Sequence, residues 1–269
     1  MRMADNANGT RLGITDEGTE TMKLYVLDYG SIELMIDALV PGEGNGKWMT
    51  VGIPGYLIQT DDGKTILIDS GMPQAYVDDP VNAAIEDGYN LWLKSSPSEE
   101  NLPAGQLAKI GLTPDAVTHL VITHTHIDHA GGLGSFPNAV HVIQKAERDL
   151  ATPVYRRFSW PDNVEWHVIE GDADLAQGVK LLFTPGHTPG HMSALVELPE
   201  TGKILIAIDA IYLPLSLEKD NFKASWNAEI ARDSGHRAAR IAAKDGAMLM
   251  FGHDPQQWSV LKKAPEFYG

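Results

Sequence analysis

The chain has 269 residues, 43% hydrophobic and 21% charged, with a formal net charge of -15 and no cysteine. That charge argues against a nucleic-acid partner, because phosphate binding needs clustered Lys and Arg, and no apolar run approaches the ~18 residues of a membrane span. The absence of cysteine excludes a disulfide framework and restricts any transition-metal site to His and carboxylate donors.

Residues 1–21 are polar, rich in Asn, Asp, Gly and Thr. They read as an N-terminal arm without the apolar core of a secretory signal, which makes a cytoplasmic location the default. Residues 22–269 read as one domain with insertions near 74–103 and 151–166. Lys23 to Asp28 and Ile32 to Ile36 suggest two strands joined by a tight turn at Tyr29-Gly30-Ser31. Gly55 to Gln59 and Thr65 to Asp69 flank Asp61-Asp62-Gly63, a hairpin signal. From Gln74 to Asn101 the stretch is mixed, with Pro80, Pro97 and Pro103 breaking any long helix and one short helical piece left. Gly105 to Ile110 reads as a helix stopped by Gly111, Val117 to Thr123 as a buried strand, Ala139 to Ile143 as another, and Gln144 to Leu150 as a helical turn. The aromatic and basic stretch Thr152 to Trp166 suits a pocket mouth or a protein interface. Asn227 to Lys244 reads as a helix capped by Asn227, with Ile230, Ala231, Ala238, Ile241 and Ala242 as its apolar face.

The chemistry concentrates at Thr123-His124-Thr125-His126-Ile127-Asp128-His129. A lone histidine is usually a surface or structural residue, but three imidazoles and a carboxylate just after a buried strand form a metal-binding loop. Gly131-Gly132 is expected to supply the sharp turn. The arrangement recurs: Lys180 to Phe183 runs into Thr184-Pro185-Gly186-His187, Lys203 to Ile208 into Asp209, and Ala247 to Phe251 into Gly252-His253-Asp254. Each apolar strand ends on a potential ligand, as where sheets build a site at their strand ends. His191 follows His187 by four, but Pro189-Gly190 excludes a helical pair, so it reads as a supporting histidine. His119, His141, His167 and His236 read as ordinary ones.

In order, His124-X-His126-X-Asp128-His129, His187, Asp209 and His253 resemble the metallo-β-lactamase superfamily. The resemblance implies an α/β fold, an αββα sandwich of two mixed sheets flanked by helices. It assigns His124, His126 and His187 to one metal and Asp128, His129 and His253 to a second, with Asp209 bridging. The ions would be zinc first, with cobalt, manganese or iron accepting the same donors. The Asp69-Ser70-Gly71-Met72-Pro73 turn, Asp209-Ala210-Ile211-Tyr212 and Gly252-His253-Asp254 are similar to N-acyl homoserine lactone lactonases, which are quorum-quenching enzymes. The Leu24 to Leu34 stretch and Phe267-Tyr268-Gly269 also look similar to 4-pyridoxolactonase.

The implied activity is hydrolysis of a small-molecule lactone by a hydroxide held between the metals. Tyr212 would donate to the carbonyl oxygen and Asp128 would move the proton. Other readings are a different lactonase, a glyoxalase II-like thioesterase, disfavoured because only 16 residues follow His253, and a metal-stapled binding module. Ile127 stands where the lactonases have an aromatic residue, and with Met35, Trp48 and Met49 it is expected to shape the substrate pocket. The pattern leaves a homodimer open.

Overall fold

The computed structural model describes residues 22–89, 93–151 and 154–269, so the arm expected over 1–21 lies outside them. Among the described residues seven strands form the first sheet: β1 Lys23–Met35, β2 Trp48–Gln59, β3 Thr65–Ile68, β4 Leu93–Ser95, β5 His119–Val121, β6 Val140–Gln144 and β7 Glu165–Ile169. Their spatial order is β4-β1-β2-β3-β5-β6-β7. The β3, β5, β6 and β7 part is parallel. The second sheet holds β8 Ala173–Ala176, β9 Val179–Phe183, β10 Met192–Leu198, β11 Gly202–Ile206 and β12 Met248–Met250, in the order β12-β11-β10-β9-β8.

Alternation along the strands builds the layers, because successive side chains face opposite sides of a sheet. Ile66 and Ile68 join Leu24, Val26, Val121 and Val142 against Val179, Leu181, Val196, Ile204 and Ile206, which makes the core between the sheets. Leu67 faces the other way, into a core shared with Tyr76, Ala83, Leu107 and Ile127. Those residues belong to the short helices α1 Ala75–Asp78, α2 Pro80–Asp87, α3 Pro103–Ala108 and α4 Ile127–Ala130. After α5 Lys145–Arg148 and α6 Pro214–Glu218 comes the long helix α7 Ala228–Asp245, which lays Ala238 and Ala242 over Leu182 and Leu205 of the second sheet; α8 Pro255–Val260 follows. The order of layers is therefore αββα.

Several expectations are corrected. The two strands expected at the start are the single bulged strand β1, whose register shifts between Asp28 and Ser31, with Gly30 at φ +95° absorbing the extra residue. The 74–103 stretch carries two helices and the edge strand β4. Pro80 and Pro103 open helices there instead of breaking them, since a first-turn N–H has no partner inside the helix to lose. Ile230 is 38% exposed, so the buried face of α7 is Ala231, Ser234, Gly235, Ala238 and Ala242. The Asn227 cap holds, its side chain accepting from Glu229 and Ile230 N–H.

Candidate metal centre and substrate cavity

Strand ends deliver the donors. β5 leads into the loop of His124 and His126, and α4 turns Asp128 and His129 inward. The loop after β9 brings His187, the turn after β11 brings Asp209, and the turn after β12 brings His253. The structure gathers all seven expected residues. One ligating atom from each of His124, His126, His187 and Asp209 falls within 4.8 Å of the others, as does one from each of Asp128, His129 and His253. The Asp209 carboxylate stands between the clusters: Oδ2 is 3.2 Å from His187 Nε2, and Oδ1 is 3.3 Å from His253 Nε2 and 3.5 Å from His129 Nε2.

Local backbone strain aims this carboxylate. Ile208, β-branched and buried, adopts φ +52° immediately before it, a conformation that costs on the order of 1–3 kcal/mol and persists only where the surroundings enforce it. A Cβ on Gly252 would meet Ile208 O at 2.5 Å and Asp209 Oδ1 at 2.9 Å, so only glycine fits there. The Gly131-Gly132 pair acts differently from expectation. Gly131 has φ -67° and Gly132 φ -97°, both ordinary. Their missing side chains instead admit Pro73 N, 2.3 Å from a Cβ on Gly131, and Ser70 O, 2.5 Å from one on Gly132.

Hydrogen bonds outside the clusters fix the tautomers. His129 Nδ1 lies 2.8 Å from Asp69 Oδ2, His253 Nδ1 3.0 Å from Gly52 O, and His187 Nδ1 2.6 Å from the Tyr212 hydroxyl. Thr123 Oγ1 donates to Asp69 at 2.8 Å and therefore accepts from His124 Nδ1 at 3.1 Å. Each of these four rings spends its Nδ1 proton outward, which turns an Nε2 lone pair to the centre. His126 presents Nδ1 instead, 2.7 Å from His187 Nε2 and 3.0 Å from His124 Nε2. Three ring nitrogens at such distances with no proton to share repel one another unless a cation lies among them. His129 Nε2 and Asp209 Oδ1 are buried without a hydrogen-bond partner, and such atoms are costly unless a ligand satisfies them. The donor set therefore fits two divalent ions.

Electrostatics agree at the first cluster. Burial holds His124 well below the usual histidine range, and burial together with His187 pushes His126 down to about 3, so both rings are neutral as ligation requires. Burial opposes charge on His129 and His253 too, but Asp128 and Asp209 outweigh it and raise both. Burial, then the Asp209 charge, pushes the Tyr212 phenol well above 10, so it stays protonated. Its hydroxyl donates to Ala224 O at 2.9 Å and accepts from His187.

His191 supports the site from behind, as expected, with Nε2 accepting the Asp209 N–H at 3.1 Å and Nδ1 3.1 Å from Thr184 O. His236 bonds Asp220, and His141 is buried against Ala139 O.

The clusters open into a cavity of about 690 Å³. Ile127, Asp128 and Tyr212 line it as expected; Met35, Trp48 and Met49 do not. The pleat explains the correction. Ile32 and Leu34 of β1 face the cavity, so Met35 faces away; Trp48, its partner in register, lies on the outer surface under Lys94 Nζ, 4.3 Å from the ring. Met49 packs into the neighbouring core. The walls that sequence reasoning missed come from Leu39, Tyr89, Leu93, Lys223 and Trp226. No periodicity marks them, because they sit on separate loops and short elements. Among the described residues of the 151–166 stretch, Val154 alone reaches the cavity. Tyr155 and Phe158 are buried in the core, and Trp160 and Trp166 pack edge to face beside Arg148.

Residues 50–253 match the metallo-beta-lactamase superfamily. The chain is 33% identical to an N-acyl homoserine lactonase of a Bacillus species over 90% of its own length and 94% of the relative's. It is 34% identical to N-acyl homoserine lactonase AttM of Rhizobium johnstonii, covering 92% of this chain and 98% of that one. Its fold superposes with a TM-score of 0.83 and 30% identity on an N-acyl homoserine lactone hydrolase solved with the product N-hexanoyl-L-homoserine at its catalytic metal centre, over 91% and 98% of the two chains. A mutant of the Bacillus thuringiensis enzyme AiiA, solved with N-decanoyl-L-homoserine at its active site, gives the same TM-score and coverage. With its αββα layers and its donors at the strand ends, the chain belongs to the metallo-β-lactamase superfamily and, within it, to the N-acyl homoserine lactonase family.

Proposed function

We propose that this protein is a metal-dependent lactonase that opens the ring of N-acyl homoserine lactones, a quorum-quenching reaction. The observation that carries the reading is the convergence of five ring nitrogens and the Asp128 and Asp209 carboxylates at the floor of a largely apolar cavity, beside a neutral phenol. His124, His126 and His187 would hold one ion and Asp128, His129 and His253 the other, with Asp209 shared. When bound, divalent ions, zinc first, lower the pKa of water to about 7 and polarise a carbonyl. Seven donors for two ions leave positions for water and substrate, which a saturated structural zinc site lacks.

The protein's own groups do the rest. Tyr212 exchanges its bond to Ala224 O for one to the lactone carbonyl oxygen, where negative charge builds as water attacks. The Asp128 carboxylate faces the cavity and carries the proton from the attacking water to the departing ring oxygen. Ile32, Leu34, Leu39, Leu93 and Ile127 receive the acyl chain by excluding water from it. The test is hydrolysis of homoserine lactones of increasing acyl length, measured beside 4-pyridoxolactone, S-lactoylglutathione and nitrocefin. Acyl homoserine lactones are expected to give the highest kcat/KM, and preference for any of the other three contradicts the proposal.

A further inference from the structure

Two buried carboxylates grip the metal loop from opposite sides, and they divide its threonines between them. Asp69 takes the Thr123 N–H at 2.9 Å, the Thr123 hydroxyl at 2.8 Å and the His129 ring. Glu147, on α5 and with no exposed surface, takes the other threonine. Its Oε1 accepts the Thr125 N–H at 2.8 Å and the Thr125 hydroxyl at 2.7 Å. Its Oε2 accepts the Thr188 hydroxyl at 2.7 Å and the Gly190 N–H at 3.0 Å. Thr125 sits between His124 and His126, and Thr188 follows His187. One carboxylate thus joins the two loops that carry the three imidazoles of the first cluster. The second loop is pressed onto α5 as well, since a Cβ on Gly190 would lie 2.3 Å from Glu147 N.

We propose that Glu147 is a positioning residue that sets the distance between His126 and His187, and so fixes the affinity of the first metal position without acting on the second. The proposal rests on the two-metal reading above. Ring nitrogens must meet an ion within a few tenths of an ångström, and these two nitrogens belong to loops separated by 61 residues in sequence. All four groups that face Glu147 are donors. In Glu147→Gln the amide nitrogen cannot accept the backbone N–H on its side, from Thr125 or from Gly190, so one loop loses that bond and shifts. Thr188→Val makes a milder cut, removing one of the four bonds and keeping the carboxylate.

The experiment titrates metal-free protein with Zn²⁺ against a chromophoric chelator of known affinity. His253→Ala leaves the first cluster complete and His187→Ala leaves the second, so each background reports one position. In the His253→Ala background Glu147→Gln is expected to weaken Zn²⁺ binding about 10- to 100-fold, the range for outer-sphere partners of metal ligands, and Thr188→Val by a smaller factor. In the His187→Ala background neither change should alter the affinity. Co²⁺ absorption bands of the first position should shift in the same variants. Equal weakening in both backgrounds, or unchanged affinity with a lowered Tm, would mark Glu147 as mere scaffold and overturn the proposal. Should Glu147→Gln fail to fold, Thr188→Val decides by the same criteria. Wild-type protein that binds fewer than two Zn²⁺ would instead overturn the two-metal reading, and this inference with it.

Discussion

Tyr212 has one proton and two partners. It gives that proton to Ala224 O and receives the His187 Nδ1 proton, so it both orients a ring of the first cluster and keeps a donor beside the cavity. Tyr212→Phe should lower kcat by on the order of a hundredfold, the usual effect of removing one such donor, with metal content close to wild type; an unchanged kcat at full metal content would contradict its role. Asp209 faces His187 through one oxygen and His129 and His253 through the other. Asp209→Ala is expected to lose bound metal by elemental analysis, and two ions retained per chain would contradict its bridging position. Much of this was legible in the sequence, because each donor closes an apolar strand. The outward hydrogen bonds that choose the tautomers were not. Gly52 O lies 201 residues from the histidine it serves.

Elements decide which side chains reach the substrate. The alternation of β1 turns Ile32 and Leu34 to the cavity and Met35 away. Leu34→Ala should therefore raise KM about tenfold for long-chain lactones, the scale of a lost apolar contact in a pocket. Met35→Ala should leave KM unchanged, and the reverse pattern would contradict this register. Sequence reasoning placed Met35 at the pocket, whereas the pleat of β1 puts it on the opposite side from Ile32 and Leu34, and register across a bulge cannot be read from composition. It also missed β4, three residues long, whose pairing with β1 is a long-range event.

The wall beyond β4 is held by a buried charge pair. Asp87 accepts from Arg157 Nε at 2.9 Å and Nη2 at 2.6 Å, and ties α2 to the turn below Val154. The Arg157 side chain is 33% exposed, so the pair is less costly to break than a fully buried one. Asp87→Ala should still lower unfolding free energy by about 2–3 kcal/mol, measured by urea denaturation. A loss below about 0.5 kcal/mol, the scale of an ordinary surface substitution, would contradict it.

Over the whole molecule, the site is where the two sheets and their connecting loops meet, so metal binding and folding are linked. Asp69, Asp128 and Asp209 are all buried around one centre, a concentration of negative charge that bound cations would offset. An ion present at about a thousand times its Kd adds about 4 kcal/mol to stability, which in a chain of this length corresponds to a rise in Tm of roughly 8–16 °C. Chelation should lower the Tm by that order and Zn²⁺ should restore it; identical melting curves would contradict the linkage. The layered fold was legible as a whole because its motifs run in family order, while the cavity was not, since its walls come from stretches of chain far apart in sequence. The central claim is metal-dependent opening of a lactone, and the most direct measurement is proton release from N-hexanoyl homoserine lactone in a pH-stat by one sample before chelation, after it, and after Zn²⁺ is returned. The predicted result is stoichiometric release that stops on chelation and resumes on reloading. Release that continues undiminished in metal-free protein, or none from the reloaded protein, would contradict the account.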